Sequence, residues 1–318
     1  MKPDPRPLLT PEMREALAIS ERLQAELRDL PTDPVAAMRA RYAHERRYWN
    51  EVPVELESVG DRTVTLAGIP TRLRYYRPRP EPPGQVLIYL HGGGFVLGSL
   101  DTHDRIMRLL AKLTGWPVLG IDYALAPEHK FPTQVAQIVD AVAQLGSILT
   151  LGPKQFALAG DSAGAHLALA TALALRDGGK RSPSALLLFY GLYGLRDSPS
   201  RRLWGGPVDG LDETSLAFFR DAYLPSPDLQ HDPRYDLLTA NLADLPPAFV
   251  TACALDPLLD DSRALAGLIA AAGGEAELKV YGGVLHGFLH LSRLVPTAMW
   301  ALEDAARFLA DNCSTPDA

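Results

Sequence analysis

Cysteine is scarce. Only Cys253, in an apolar run, and Cys313, near the C-terminus, occur in 318 residues. Two such residues make no disulfide framework, so a reducing cytoplasm is the expected compartment. Basic charge is also in deficit: 31 Lys and Arg against 38 Asp and Glu leave a formal charge of −7. That balance favours solubility and argues against a nucleic-acid partner, which needs a basic face. No apolar stretch approaches the roughly eighteen residues of a membrane span. The start, MKPDPRPLLTPEM, has no apolar core of an export signal, so neither export nor a membrane partner is expected. Internal repeats and low-complexity tracts are missing. So are HExxH, CxxC, GxxxxGK[ST] and GxGxxG spacings, which leaves no sequence support for a metal or a phosphate-bearing cofactor.

What is present is a chain of 47% apolar residues, long enough for one large α/β domain with additions. Thr10-Pro11-Glu12-Met13 reads as an N-cap and first helical proline, opening a helix that runs toward Pro31. A second helix is predicted over 35–49, its Met and aromatic residues serving as packing. From Glu55 the period changes, and segments 54–59, 62–66 and 70–77 suggest short antiparallel strands with turns at Gly60-Asp61 and Gly68. A Pro-rich connection, 78–84, leads into the continuous apolar run 86–90, as expected of a strand covered on both faces. Strands near 117–122, 155–159, 185–190, 248–255 and 276–280 then alternate with helices, the pattern of a mostly parallel sheet. The stretch 191–246 interrupts that rhythm with a helix at 212–223. Together with the N-terminal helices it is expected to form a lid, and the N-terminal pair could equally be a dimer surface.

The chain is organised around FALAGDSAG, residues 156–164, a strand, a sharp turn and an Ala-rich helix with Ser162 on the turn. Gly160 and Gly164 flank the serine where a Cβ would clash, as in the nucleophile elbow G-x-S-x-G; the alternative is a Gly-rich turn without chemistry. A serine hydroxyl needs a base to take its proton, and the base needs a carboxylate to orient it. His286 follows the final strand, at the end of the sheet where Ser162 sits, and His290 is its nearest rival. Asp256 follows the apolar run 249–255, either as the acid or as a loop carboxylate, whereas Asp260 and Asp261 read as helix N-terminal residues. The order Ser162, Asp256, His286 is that of the α/β-hydrolases. His91-Gly92-Gly93-Gly94-Phe95 follows the 86–90 strand, and its glycines can turn N–H groups toward an oxyanion, beside that of Ala163. His91 is read as an organiser of that loop, Glu128 as a buried loop anchor, and Asp101, His103 and Asp104 as capping residues.

With HGGGF (91–95), DYALAPEHKFP (122–132), GDSAG (160–164), DPLLDDS (256–262) and HGF (286–288) in this order, the chain resembles the hormone-sensitive-lipase-like branch of the α/β-hydrolases. The resemblance spans nearly the whole sequence. It implies a single domain over 1–318 with an eight-stranded, mostly parallel sheet, and a helical cap from about 1–50 and about 191–246. It implies hydrolysis of short-acyl esters of small molecules, acetyl to butyryl or hexanoyl, with no cofactor. Ser162 is then nucleophile, His286 base and Asp256 acid, with Gly92, Gly93, Gly94 and Ala163 around the oxyanion. An acetate-sized acyl pocket could be closed by Leu97, Tyr190 or residues of 191–246. A lipase or peptidase of the same fold, or a regulatory protein using the cap as a partner surface, are the alternatives; a monomer or homodimer is expected.

Overall fold

The computed structural model describes residues 2–79, 84–149, 152–206, 208 and 210–313. Most of the Pro-rich connection at 78–84 therefore lies outside the described residues. Two helices come first, α1 (Pro11–Glu26) and α2 (Pro34–Asn50). Each opens as the sequence suggests a helix should, on a side-chain cap followed by proline. Thr10 Oγ1 accepts from the Met13 amide at 3.1 Å, and the Asp33 carboxylate accepts from the Ala36 amide at 2.7 Å. The first helix stops at Glu26, short of the expected break at Pro31.

Eight strands follow: β1 (Ser58–Leu66), β2 (Ile69–Arg77), β3 (Gln85–Leu90), β4 (Val118–Ile121), β5 (Gln155–Asp161), β6 (Leu186–Phe189), β7 (Ala248–Cys253) and β8 (Ala276–Tyr281). They form one sheet in the order β1-β2-β4-β3-β5-β6-β7-β8, antiparallel only where β2 meets β1 and β4. Between and after them run α3 (Asp104–Thr114), α4 (Thr133–Ala143), α5 (Leu145–Ile148), α6 (Ala163–Asp177), α7 (Pro199–Leu203), α8 (Glu213–Tyr223), α9 (Leu259–Ala271) and α10 (Pro296–Asn312).

The core has two layers because the central strands present alternate residues to opposite faces. Val86, Ile88 and Leu90 pack toward α4, α6 and α9, whereas Leu87 and Tyr89 pack toward α3 and α10. Every residue of β3 and β7 is buried, which explains why they are apolar apart from Gln85 and Thr251. One local expectation is corrected. Gly60-Asp61 is not a turn but the middle of β1, facing Tyr75 and Arg74 across the ladder. The polar pair is tolerated because the Arg74 guanidinium binds the Asp61 carboxylate from the neighbouring strand, at 2.5 and 2.9 Å. The turn sits at Ala67-Gly68, where both φ values are positive.

The segment between β6 and β7 holds α7, α8 and two short 3₁₀ turns, none of which joins the sheet. The end of α8 lies on the glycine-loop region. The Tyr223 ring stacks on Phe95 at 3.9 Å, and the Tyr223 carbonyl accepts from the Phe131 amide. From the other side, Arg39 of α2 donates to the carbonyls of Val96 and Ala126 and bidentately to Glu128. Glu128 does tie its loop, to α2 through Arg39, but it does so from the surface, with its side chain 54% exposed. Among the described residues no helix is long and apolar enough to cross a membrane.

Candidate active site

Ser162 stands between the end of β5 and the first residue of α6, with φ 53° and ψ −119°. A left-handed φ at a non-glycine residue is strained by about 1–3 kcal/mol and must be held by its surroundings. Here the Ser162 amide donates to the Phe189 carbonyl on β6 at 2.8 Å, and its carbonyl accepts from Ala165 and His166. The flanking glycines are needed for space. A Cβ on Gly164 would lie 2.0 Å from the Leu90 carbonyl oxygen, and one on Gly160 would lie 2.4 Å from the Gly164 backbone.

Three side chains meet at the carboxyl ends of parallel strands. His286, in the loop after β8, has Nε2 at 2.8 Å from Ser162 Oγ and Nδ1 at 2.7 Å from Asp256 Oδ2. A carboxylate only accepts, so Nδ1 donates and Nε2 is the face that can take the serine proton. Asp256 is fully buried, and its second oxygen accepts from the Leu258 amide at 2.8 Å. The edge of the Tyr190 ring supports the imidazole at 5.0 Å. His290 lies one turn on and does not bond Ser162. Its Nε2 faces the Tyr42 hydroxyl at 3.3 Å, and burial, with Arg46, His103 and His286 adding to it, pushes its pKa well below the ordinary imidazole value.

The glycine loop lies beside this chain, but its three glycines are not equivalent. The Gly92 amide donates to Asp161 Oδ1 at 2.9 Å and to His103 Nε2 at 3.2 Å. It is therefore turned away from Ser162, and the expectation that Gly92 contributes an oxyanion donor is corrected: a buried carboxylate has claimed its hydrogen. Among the described residues the Gly93 and Gly94 amides have no partner, and Ala163, first in α6, has no intrahelical acceptor. His91 is buried, stacks on Tyr123 at 4.2 Å, and places Nδ1 at 2.9 Å from the Gly92 carbonyl. Burial, reinforced by His103, pushes its pKa down to about 4.

Asp161 and His103 are residues whose part the sequence reading missed. Asp161 also accepts from the Tyr89 hydroxyl at 2.7 Å. Burial alone would raise its pKa, but His103, Tyr89 and the Gly92 amide together hold it below the ordinary carboxylate value. A carboxylate at the end of an otherwise apolar strand was the available signal. The capping role expected for Asp101, His103 and Asp104 holds only by position, His103 standing at the N-cap of α3 and Asp104 in its first turn. His103 makes no side-chain cap bond, and Asp101 and Asp104 instead pair with Arg72, Arg74 and Arg108. Asp260 and Asp261 do open α9, yet Asp261 is fully buried and accepts from the amides of Tyr193, Gly194 and Leu195.

His103, Asp161 and His290 bring ligand-type atoms within 4.8 Å of one another, a cluster that linear spacing concealed. The Gly92 N–H points into it, at both Asp161 and His103, and a donor hydrogen repels a cation. His103 and Asp161 are engaged by that N–H and His290 Nε2 faces the Tyr42 hydroxyl, so the cluster's ligand atoms are directed at hydrogen-bond partners and fit a cation poorly. A cavity of about 220 Å³ opens above Ser162 and His286. Leu97, Leu211 and Phe219 give it an apolar side, and Tyr42, Arg46 and His290 a polar one. Of the alternatives offered for closing the acyl pocket, Leu97 and residues of 191–246 line this cavity, whereas Tyr190 packs against His286.

A family model described as alpha/beta hydrolase fold matches residues 87–290. An acetyl esterase of Salmonella schwarzengrund is 43% identical over 328 aligned positions, covering 99% of this chain and all of the relative. Among solved structures, a hyperthermophilic esterase from the archaeon Pyrobaculum calidifontis is 34% identical with a TM-score of 0.88, covering 96% of this chain and 98% of its own. An ester hydrolase from the metagenome of Lake Arreo, complexed with a bipyridine phosphonate derivative, is 32% identical with the same TM-score of 0.88, over 97% of this chain and all of its own.

Proposed function

Since the chain belongs to the hormone-sensitive-lipase-like branch of the alpha/beta hydrolases, a family of carboxylesterases, we propose that it hydrolyses short-acyl esters of small alcohols through Ser162, His286 and Asp256. Ser162 Oγ attacks the ester carbonyl while His286 Nε2 takes its proton. The amides of Gly93, Gly94 and Ala163 receive the tetrahedral oxyanion. His286 then protonates the departing alcohol oxygen, leaving an acyl-enzyme. A water that gives its proton to the same nitrogen hydrolyses this intermediate and restores Ser162. Asp256 holds the imidazole tautomer and stabilises its cation. The observation that carries the reading is the unbroken chain Ser162–His286–Asp256, with contacts of 2.8 and 2.7 Å.

The whole chain acts as one hydrolase domain, and about 1–50 with about 191–246 form its cap. The acyl group occupies the side walled by Leu97, Leu211 and Phe219. A cavity of about 220 Å³ is smaller than the roughly 300–1,000 Å³ typical of pockets for drug-sized ligands, which supports acetyl to butyryl or hexanoyl chains over long ones. The test is a series of p-nitrophenyl esters from acetyl to dodecanoyl with wild type and S162A. Activity should fall steeply beyond hexanoyl, and S162A should lose about 10⁴- to 10⁶-fold in kcat. Ester hydrolysis surviving in S162A removes the triad reading, and a flat chain-length profile removes the short-acyl one.

A further inference from the structure

The polar half of the cavity has no task in acyl transfer. Its position is nevertheless informative. The leaving oxygen must reach His286 Nε2 to be protonated, so the alcohol portion of the ester extends over the His286–Gly287 side. That side is walled by Tyr42 and Arg46 of α2 and by His290. Gly287 and Arg46 are neighbours on this wall: a Cβ built on Gly287 would lie in ordinary contact with Arg46 Nη2, at 3.8 Å. Phe219 and Gly94 close the opposite side, where a Cβ on Gly94 would lie 2.4 Å from the Phe219 ring.

Arg46 is the one Lys or Arg among the described residues lining this cavity. Its side chain is only 14% exposed. Nη1 donates to Glu45 at 3.2 Å, the guanidinium lies over the Tyr42 ring at 4.8 Å, and Nε is buried without a partner among the described residues. Burial opposes the charge, but Glu45 and Tyr42 outweigh it and raise the pKa above the ordinary arginine value. Glu45 is held toward α1 by Ser20 at 2.8 Å, and Asp161 is engaged by Tyr89, Gly92 and His103. Asp161 also lines the cavity, but its carboxylate oxygen Oδ1 is taken by those donors, and Glu45 occupies Nη1 of the guanidinium. Nη2 is the guanidinium nitrogen beside Gly287 on the cavity wall, placed to donate to an anion bound there.

We propose, on the basis of the esterase reading above, that Arg46 is a specificity-determining residue that selects esters whose alcohol portion carries a carboxylate. The comparison that tests it is kcat/KM for 4-acetoxybenzoate against 4-acetoxybenzamide, each normalised to its own alkaline hydrolysis rate, in wild type, R46K and R46Q. Wild type should favour the carboxylate ester by about 10- to 100-fold, chiefly through KM, the worth of one hydrogen-bonded charge pair. R46Q should bring the ratio close to unity, and R46K should retain part of it. A wild-type ratio near unity overturns the proposal without any variant, as does a preference that survives intact in R46Q. Either outcome leaves the esterase reading standing if both esters are cleaved. If wild type cleaves neither these esters nor p-nitrophenyl acetate, it is the esterase reading that has failed.

Discussion

Replacing Asp161 separates the carboxylate's role from that of its neighbour Ser162. Asp161 is buried and accepts the Tyr89 hydroxyl at 2.7 Å and the Gly92 amide at 2.9 Å, with His103 Nε2 at 3.4 Å. Alanine would leave the buried Tyr89 hydroxyl without its acceptor and the Gly92 amide with only the longer contact to His103 Nε2 at 3.2 Å. Hydrogen bonds to a charged group contribute about 1.5–3 kcal/mol each, so D161A should lose about 3–6 kcal/mol. That is a large share of the roughly 5–15 kcal/mol by which a domain is stable. Asparagine keeps an acceptor oxygen but gives up the charge, and D161N should lose about 2 kcal/mol. The catalytic effect follows from where Gly92 sits, directly before Gly93 and Gly94. Freed from Asp161, the loop loses the anchor that aims their amides, and misplacing such donors costs up to about 10²- to 10³-fold in kcat. D161N should therefore fold and show a smaller fall in kcat than D161A, with KM little changed. Urea midpoints and p-nitrophenyl acetate kinetics on both variants decide the matter. A D161A protein as stable and as fast as wild type would refute the anchoring argument.

Two further outcomes follow from packing and titration. G164A places a Cβ 2.0 Å from the Leu90 carbonyl oxygen, backbone that cannot swing aside, and should cost more than about 3 kcal/mol in urea unfolding; a midpoint equal to wild type contradicts the elbow's steric account. Burial pushes the His166 pKa down to about 4, against the opposing Leu192 carbonyl. Its unfolded value is higher, about 6.5, so the neutral native form contributes stability that is fully present above about pH 6.5 and is lost as pH falls toward about 4. The loss is at most about 3 kcal/mol. Urea midpoints near neutral pH and near pH 4.5 should therefore draw apart less in H166Q than in wild type, and an equally steep fall in H166Q counts against the assignment.

How the chemistry could be read from the chain depends on what each residue's role requires. Ser162 was legible because an elbow needs small residues at fixed local spacing, and Gly160 and Gly164 are adjacent to what they accommodate. Asp256 was legible because it follows the apolar run 249–255, and His286 because it follows the final strand and lies in the HGF motif of the resemblance; parallel strands deliver their ends to one edge. The glycine loop was legible as a motif but not in its division of labour. Gly92 is turned aside by a carboxylate 69 residues away in sequence, and no local pattern encodes that pairing.

The alternation of strands and helices and the turn at Ser162 were readable from the chain alone, since they rest on periodicity and short-range sterics, and the candidate residues Ser162, Asp256 and His286 were readable as residues that each follow a strand. Position after the last strand favoured His286 and left His290 as its rival, and only the folded chain shows that His286 Nε2 meets Ser162 Oγ at 2.8 Å while His290 Nε2 faces Tyr42. Tertiary structure also turned Glu128 outward to Arg39, gathered His103, Asp161 and Tyr89 beneath the glycine loop, and set Arg46 beside Gly287. Each of these depends on the packing of α2, α3 and the sheet edge against one another. Hydrogen-bond partners brought together across tens or hundreds of residues are fixed by that packing, and the residues that make them look locally like ordinary surface or capping positions.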